Sequence, residues 1–324
     1  MNLFSNKLRK LTTLLLSLVV ILAGCGKGSG GEIVSGKLNV VTSFYPIYEF
    51  AAAIGGEDVN VINLLPAGVE PHDWTPRSKD IMNTSKAQLF LYNGAGLEGW
   101  VPNFLKGMGS DASVKAIEVS QGVDLIYTDE DDGHNHGGEE SEAHEEEHDD
   151  HHIDPHTWVS PKSAKVIAEN IKNSYVEADP DHAEHYEARY AELSKKLDEL
   201  DHKFETELSK TQKNEIVVSH QAFGYLCRDY GLTQHAIMGL SPEAEPRAQD
   251  IVALSKIVKE KGIKYIFFEE LVSDKLAKTL AGEAGVETLV LNPVEGLTSQ
   301  QEKAGDNYFT LMEKNLQNLI LALQ

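Results

Sequence analysis

The sequence predicts an α/β protein of two β/α lobes, each a parallel sheet covered by helices, joined by a long rigid helix. Three observations carry this expectation. Short β-rich runs alternate with helical runs on both sides of the chain's middle, and such alternation produces parallel sheets whose ligand sites lie at the carboxyl ends of strands. The stretch from Asp181 to about Lys210 contains no proline or glycine and spaces opposite charges as a helix surface does. The chain has 324 residues, 41% of them hydrophobic, enough for one large or two modest domains with real cores.

Residues 1–24 form the first unit. Lys7, Arg9 and Lys10 give a basic start, the apolar run LTTLLLSLVVILA follows, and Leu22-Ala23-Gly24-Cys25 closes it, the grammar of a secretory signal. The apolar run stops well short of the about 20 residues that a membrane-spanning helix needs, which disfavours a single-pass anchor. The sequence L-A-G-C resembles the bacterial lipobox. That resemblance implies that Cys25 becomes the lipidated first residue of the mature protein, with acyl chains holding it on the outer face of the cell membrane. Residues 25–37 then read as a flexible tether. Only Cys227 remains, so no intramolecular disulfide is available and packing alone must stabilise the fold.

Residues 38–180 read as the N-terminal lobe. LNVVTSF is a strand, YPIYEFAAAIGG a helix that stops at glycines, VNVINLLP another strand, and AQLFLYNGAG repeats the theme. Residues 129–152 interrupt it. They lack any strong apolar residue, and twelve acidic residues fall between Asp129 and Asp150, so the segment reads as a mobile, solvated insertion. After IDPHTW, the run SPKSAKVIAENIKNSY predicts a helix with Ser160 as N-cap and Pro161 at its first position.

Residues 181–210 form the linking helix, about 45 Å long at the standard rise. That exceeds the needs of one small domain, and the segment reads as a brace between lobes; two helices with a bend are the alternative. In the C-terminal lobe, residues 211–324, EIVVSH is a strand, QAFGYLCRDYG a helix ending at Gly231, IKYIFFEE a strand, DKLAKTLAGEAG a helix and VETLVLNP a strand. A last helix from about Asp306 closes the fold.

The formal net charge of −22 argues against nucleic acid as a partner, because phosphate binding needs a basic face. Chemistry concentrates in histidines. Residues 134–158 hold seven of the thirteen in the chain. Three histidines share a context: GVEPHDW around His72, DPHTW around His156 and VVSHQAF around His220 each follow or close a β-type segment. Strand ends of two lobes converge on the crevice between them, so these side chains can meet there, and neutral imidazole is a good zinc ligand. Proline before His72 and before His156 limits the chain locally, and the tryptophans two residues later suit the role of pocket walls.

TSFYPIYEFA, LLPAGVEPHDWTP, the acidic histidine-rich insertion, DPHTWVSP, VVSHQAFGYL, GLSPEAEP and LNPVEGLT together resemble the ZnuA-like and AdcA-like zinc receptors. These are the solute-binding lipoproteins of bacterial metal-uptake ABC transporters, and the resemblance covers essentially the whole mature chain. It implies two β/α lobes on a rigid helix, with one Zn2+ between them on His72, His156 and His220. Manganese-selective relatives tend to carry a carboxylate at the position of His220, and imidazole there favours zinc. The resemblance places a fourth ligand at Glu295, with Glu70, Glu269, Glu270 or water as competitors. It further implies an extracytoplasmic, monomeric receptor handing its cargo to a membrane permease with an ATPase.

His134, His136, His144, His148, His151 and His152 belong to the insertion. Their expected role is accessory, capturing or sensing zinc near the pocket mouth, and a solvated insertion without a required role is the alternative. His182, His185, His202 and His235 lack such contexts. Two other function classes compete with transport: a metallohydrolase, which needs an open zinc position, and a surface zinc store or adhesin. No nucleophile elbow, HExxH or phosphate loop is present. Because ligand histidines must be neutral, zinc affinity is expected to fall as pH drops through about 6.5.

Overall fold

The computed structural model describes residues 31–109, 112–128, 152–242 and 246–324. Cys25 and five insertion histidines, His134, His136, His144, His148 and His151, lie outside the described residues.

The first lobe runs β1 (Leu38–Thr42), α1 (Tyr45–Gly55), β2 (Val59–Asn63), α2 (Ser78–Thr84), β3 (Leu89–Tyr92), α3 (Val101–Met108) and β4 (Lys115–Glu118). Its strands are all parallel, in the order β2-β1-β3-β4. A short antiparallel pair follows, β5 (Tyr127–Thr128) with β6 (His152–Ile153). The second lobe runs β7 (Glu215–Val218), α6 (Gly224–Tyr230), β8 (Thr233–Ala236), α7 (Ala248–Glu260), β9 (Tyr265–Phe268), α8 (Lys275–Ala284) and β10 (Glu287–Val290). Its order is β10-β9-β7-β8, again all parallel. Counted within each lobe, both sheets have the first strand between the second and the third. That reversal of winding direction is where open α/β sheets form a crevice at their carboxyl edge.

Between the lobes lie α4 (Pro161–Ala178), a single turn of 3-10 helix at Pro180–His182, and α5 (Ala183–Leu208). Ser160 caps α4 by accepting the Lys162 N–H at 3.3 Å, with Pro161 at the first position as the sequence predicts. The linker is one helix of 26 residues, about 39 Å long, with no bend dividing it in two. Its buried stripe, Tyr186, Leu193, Leu197, Leu200, Phe204 and Leu208, recurs at helical spacing. These residues share one apolar cluster with Val40 and Leu91 of the first lobe and Ile216, Val218 and Phe267 of the second. The lobes are therefore fused through a common core rather than merely tethered.

Each sheet also has a smaller core on its outer face. Val40 faces the shared cluster while its neighbour Val41 faces Ile62, Phe90 and Phe104. Strands covered on both faces read as continuous apolar runs, which is why LNVVT and EIVV are legible as strands. The chain closes with α9 (Ser299–Ala304) and α10 (Tyr308–Ala322). The Tyr308 hydroxyl donates to the carbonyl of Trp158 at 2.8 Å, tying the C-terminal helix back to the first lobe.

Candidate metal centre

His72 follows β2, held by its neighbour Glu70, whose carboxylate accepts the backbone N–H of His72 at 3.0 Å and of Asp73 at 3.3 Å. His156 stands three residues beyond β6. Asp154 accepts both its backbone N–H, at 2.9 Å, and its Nδ1–H, at 2.8 Å. His220 lies two residues beyond β7. Glu269, the first residue after β9, accepts its Nδ1–H at 2.7 Å, its backbone N–H at 3.3 Å and the hydroxyl of Ser219. Glu295 sits in the turn after β10.

All four side chains are buried and converge on one point. His156 Nε2 lies 3.2 Å from the Nε2 of both His72 and His220. Glu295 Oε1 lies 3.6, 3.5 and 3.6 Å from the Nε2 of His72, His156 and His220. With zinc–nitrogen bonds of about 2.0 to 2.1 Å, the edge of a tetrahedral ligand set is about 3.4 Å. Because Asp154 and Glu269 take the Nδ1–H of His156 and His220, each Nε2 presents its lone pair to the centre. Glu295 Oε1 is buried without a hydrogen-bond partner, an arrangement that is costly unless a cation supplies the missing contact.

The electrostatics follow from this packing. Burial by itself pulls His220 down, yet Glu269 and Glu295 outweigh it and push the imidazole up to about 10. Burial likewise opposes charge on His156, but Asp154 and Glu295 raise it. His72 is lowered by burial. Burial would push Glu295 up, but the three imidazoles hold it well below the usual carboxylate range. The buried carboxylates thus favour the protonated form of both His156 and His220 when no metal is bound.

The competing carboxylates are placed elsewhere. Glu70 approaches only His72, at 4.0 Å, and burial followed by the charge of Glu295 pushes it up to about 8. Glu269 orients His220, and Glu270 accepts from the Asn292 side chain at 2.9 Å. Asp154 and Glu269 are the functional residues that sequence reasoning did not assign these roles; the Asp-Pro-His spacing was a local signal for the first, and nothing local marks the second. Trp158 forms a wall, its ring 5.4 Å from that of His156, whereas Trp74 packs on Trp100 instead.

The remaining histidines have ordinary surroundings. His182 and His185 meet Asp179 and Asp58 at 2.8 and 3.0 Å, His202 lies 3.5 Å from the Thr206 hydroxyl, and His235, in β8, meets Glu215 at 2.9 Å. Of the insertion histidines, His152 is described, and it lies in β6 paired with Thr128.

Residues 40–322 match the family model ZnuA, described as zinc-uptake complex component A, periplasmic. The chain is 42% identical over 321 residues to a Streptococcus pyogenes protein named zinc-binding protein AdcA, covering 97% of this chain and 62% of that relative's length. It is 41% identical to the Bacillus subtilis protein named high-affinity zinc uptake system protein ZnuA, over 93% of each chain. Among solved structures, the Zn(II)-bound ZnuA-like domain of Streptococcus pneumoniae AdcA superposes with a TM-score of 0.74 at 40% identity, covering 89% of this chain and 99% of that one. The family match, the relatives and the shared architecture agree, and the chain belongs to the ZnuA family of zinc-uptake components.

Proposed function

We propose that this chain is an extracytoplasmic receptor that captures Zn2+ and hands it to a membrane permease driven by an ATPase. The carrying observation is the convergence of His72, His156, His220 and Glu295, whose donor atoms all lie within 4.8 Å of one another. Four buried donors at tetrahedral spacing suit zinc, and three imidazoles disfavour the harder manganese ion. The same closure argues against an enzyme, because a catalytic zinc keeps one position open for water or substrate.

His72 and His156 come from the first lobe and His220 and Glu295 from the second, so capture draws on both. Because the lobes share a core along α5, release proceeds by local shifts of the ligand-bearing loops rather than by a wide hinge motion. The protein works as a monomer held at the outer face of the cell membrane through lipid on Cys25. Among the described residues no helix is long and apolar enough to cross a membrane. The acidic charges of the histidine-rich insertion raise the local concentration of cations.

The test is a calorimetric zinc titration with manganese as competitor, on the chain from Gly26 with and without residues 129–151. The deletion stops before His152 because that residue pairs in β6. One tight, zinc-preferring site that survives the deletion is expected. Loss of tight binding on deletion would move the receptor site to the insertion and overturn the reading.

A further inference from the structure

Glu295 is carried by the turn from Asn292 to Leu297, and this turn holds the most unusual backbone in the described chain. Val294 has φ of 60°, the left-handed region that a β-branched residue enters only when its surroundings impose it. Its side chain is fully buried, so the conformation cannot relax toward solvent. The imposing contacts surround it on both sides.

On the C-terminal lobe's side, the Asn292 side chain accepts the Val294 N–H at 2.7 Å while donating to Glu270 at 2.9 Å. Asn315, on α10, grips the backbone of Asn292 twice, accepting its N–H at 2.8 Å and donating to its carbonyl at 2.6 Å. Both asparagines are buried. From the N-terminal lobe, the Trp158 indole N–H donates to the carbonyl of Pro293 at 2.8 Å, and the Gly68 N–H donates to the carbonyl of Leu297 at 2.8 Å. The turn is thus clamped by the two loops that also carry His156 and His72.

We propose that Asn292 and the left-handed backbone at Val294 are positioning residues, which aim Glu295 at the three imidazoles before metal arrives. The inference rests on the reading of Glu295 as a zinc ligand. Its Oε1 faces the three imidazoles at 3.5 to 3.6 Å without a hydrogen bond of normal geometry, and the clamped backbone beneath it is what fixes its direction. A pre-set turn limits the ordering cost of binding, and losing a residue that supports a metal ligand typically costs about 10- to 100-fold in affinity.

The test uses the full chain and three variants, Asn292→Ala, Val294→Gly and Glu295→Ala, with zinc affinity measured by chelator competition. The visible spectrum of the protein loaded with one equivalent of Co2+ reports coordination independently of affinity, and circular dichroism checks that each variant folds. Asn292→Ala cuts the bond to Val294 and is expected to lower affinity about 10- to 100-fold and to shift the cobalt spectrum toward that of Glu295→Ala. Val294→Gly leaves the left-handed conformation available but no longer imposed, because glycine populates either sign of φ, and it is expected to lower affinity at least about threefold and to shift the cobalt spectrum in the same direction as Asn292→Ala.

The proposal is overturned if Asn292→Ala behaves as native while Glu295→Ala loses affinity and changes the spectrum. It is equally overturned if Val294→Gly keeps the native affinity and spectrum, because the backbone that it frees would then not be setting Glu295. A native spectrum and affinity in Glu295→Ala would instead remove Glu295 from the ligand set, and the positioning role would fall with it.

Discussion

Replacing Glu269 by Gln separates two opposing effects that meet at His220. Glu269 accepts the Nδ1–H at 2.7 Å, which makes Nε2 a better metal donor, but the same charge contributes to pushing the imidazole up to about 10. Below that value His220 carries a proton when no metal is bound, zinc must displace it, and affinity rises with pH until the proton is gone. At pH 7.5 the competition is about 2.5 pH units, roughly 300-fold or about 3.4 kcal/mol. The neutral amide of Gln removes most of this competition. It also weakens the support of the ligand, at a cost of about 10- to 100-fold in affinity. The two effects oppose each other and cancel only where the proton competition has itself fallen to about 10- to 100-fold, between about pH 8 and 9, so the slope rather than a single dissociation constant is the observable. Chelator competition from pH 6.5 to 9 should give a native log Kd that falls more steeply with pH than the variant's, by about one unit per pH unit, the contribution of one proton. The variant should bind about 30- to 300-fold more tightly than native at pH 6.5, and the two lines should converge with rising pH and meet between about pH 8 and 9. Parallel lines across the range would refute the argument, because His220 would then not be holding its proton through Glu269. Ordinary histidine chemistry gives a fall in affinity as pH drops through about 6.5, and the carboxylates around His220 are expected to extend proton competition above neutrality.

Three further outcomes are expected. His220→Asp replaces an imidazole by a harder oxygen donor, and the ratio of zinc to manganese affinity should fall by about tenfold or more; an unchanged ratio in competitive titration would count against His220 as the selectivity element. Trp158→Phe keeps the edge-to-face contact with Phe44, whose ring centroid is 4.7 Å away, but strands the buried carbonyl of Pro293, and denaturant unfolding should show a loss of about 1 to 3 kcal/mol. Gly94→Ala places a methyl group 2.1 Å from Glu118 Oε1 on a backbone with φ of 80°. The cost should be about 2 kcal/mol, a fall of roughly 4 to 8 °C in Tm, and an unchanged Tm would show that Glu118 yields without penalty.

Local patterning and tertiary placement contributed different things to this protein. The strands LNVVT and EIVV are legible because both faces of a parallel sheet are buried, which leaves continuous apolar runs. α4 announces itself through Ser160 and Pro161, and α5 through uninterrupted helix-forming residues. By contrast, β8, with the sequence TQHA and a half-exposed face, carries no apolar run, and α2 and α3 are too short to establish a period. The three histidines stood out because each sits beside a strand end, where this fold class gathers ligands.

The choice among Glu70, Glu269, Glu270 and Glu295 was different in kind. All four are carboxylates near strand ends, and no local property separates them. The structure puts Glu295 at 3.5 to 3.6 Å from all three imidazoles, Glu269 behind one of them and Glu270 on Asn292. The sequence alone determined the element types, the two-lobe alternation and the histidines, because these depend on contacts within a few residues or on a periodic face. Only the tertiary structure decided which carboxylate meets the histidines, that Glu269 orients His220 and that Trp158 clamps the turn at Val294, because Glu295 is 75 to 223 positions from the three histidines, Glu269 is 49 from His220 and Trp158 is 135 from Pro293, distances that close only once both lobes have packed on α5.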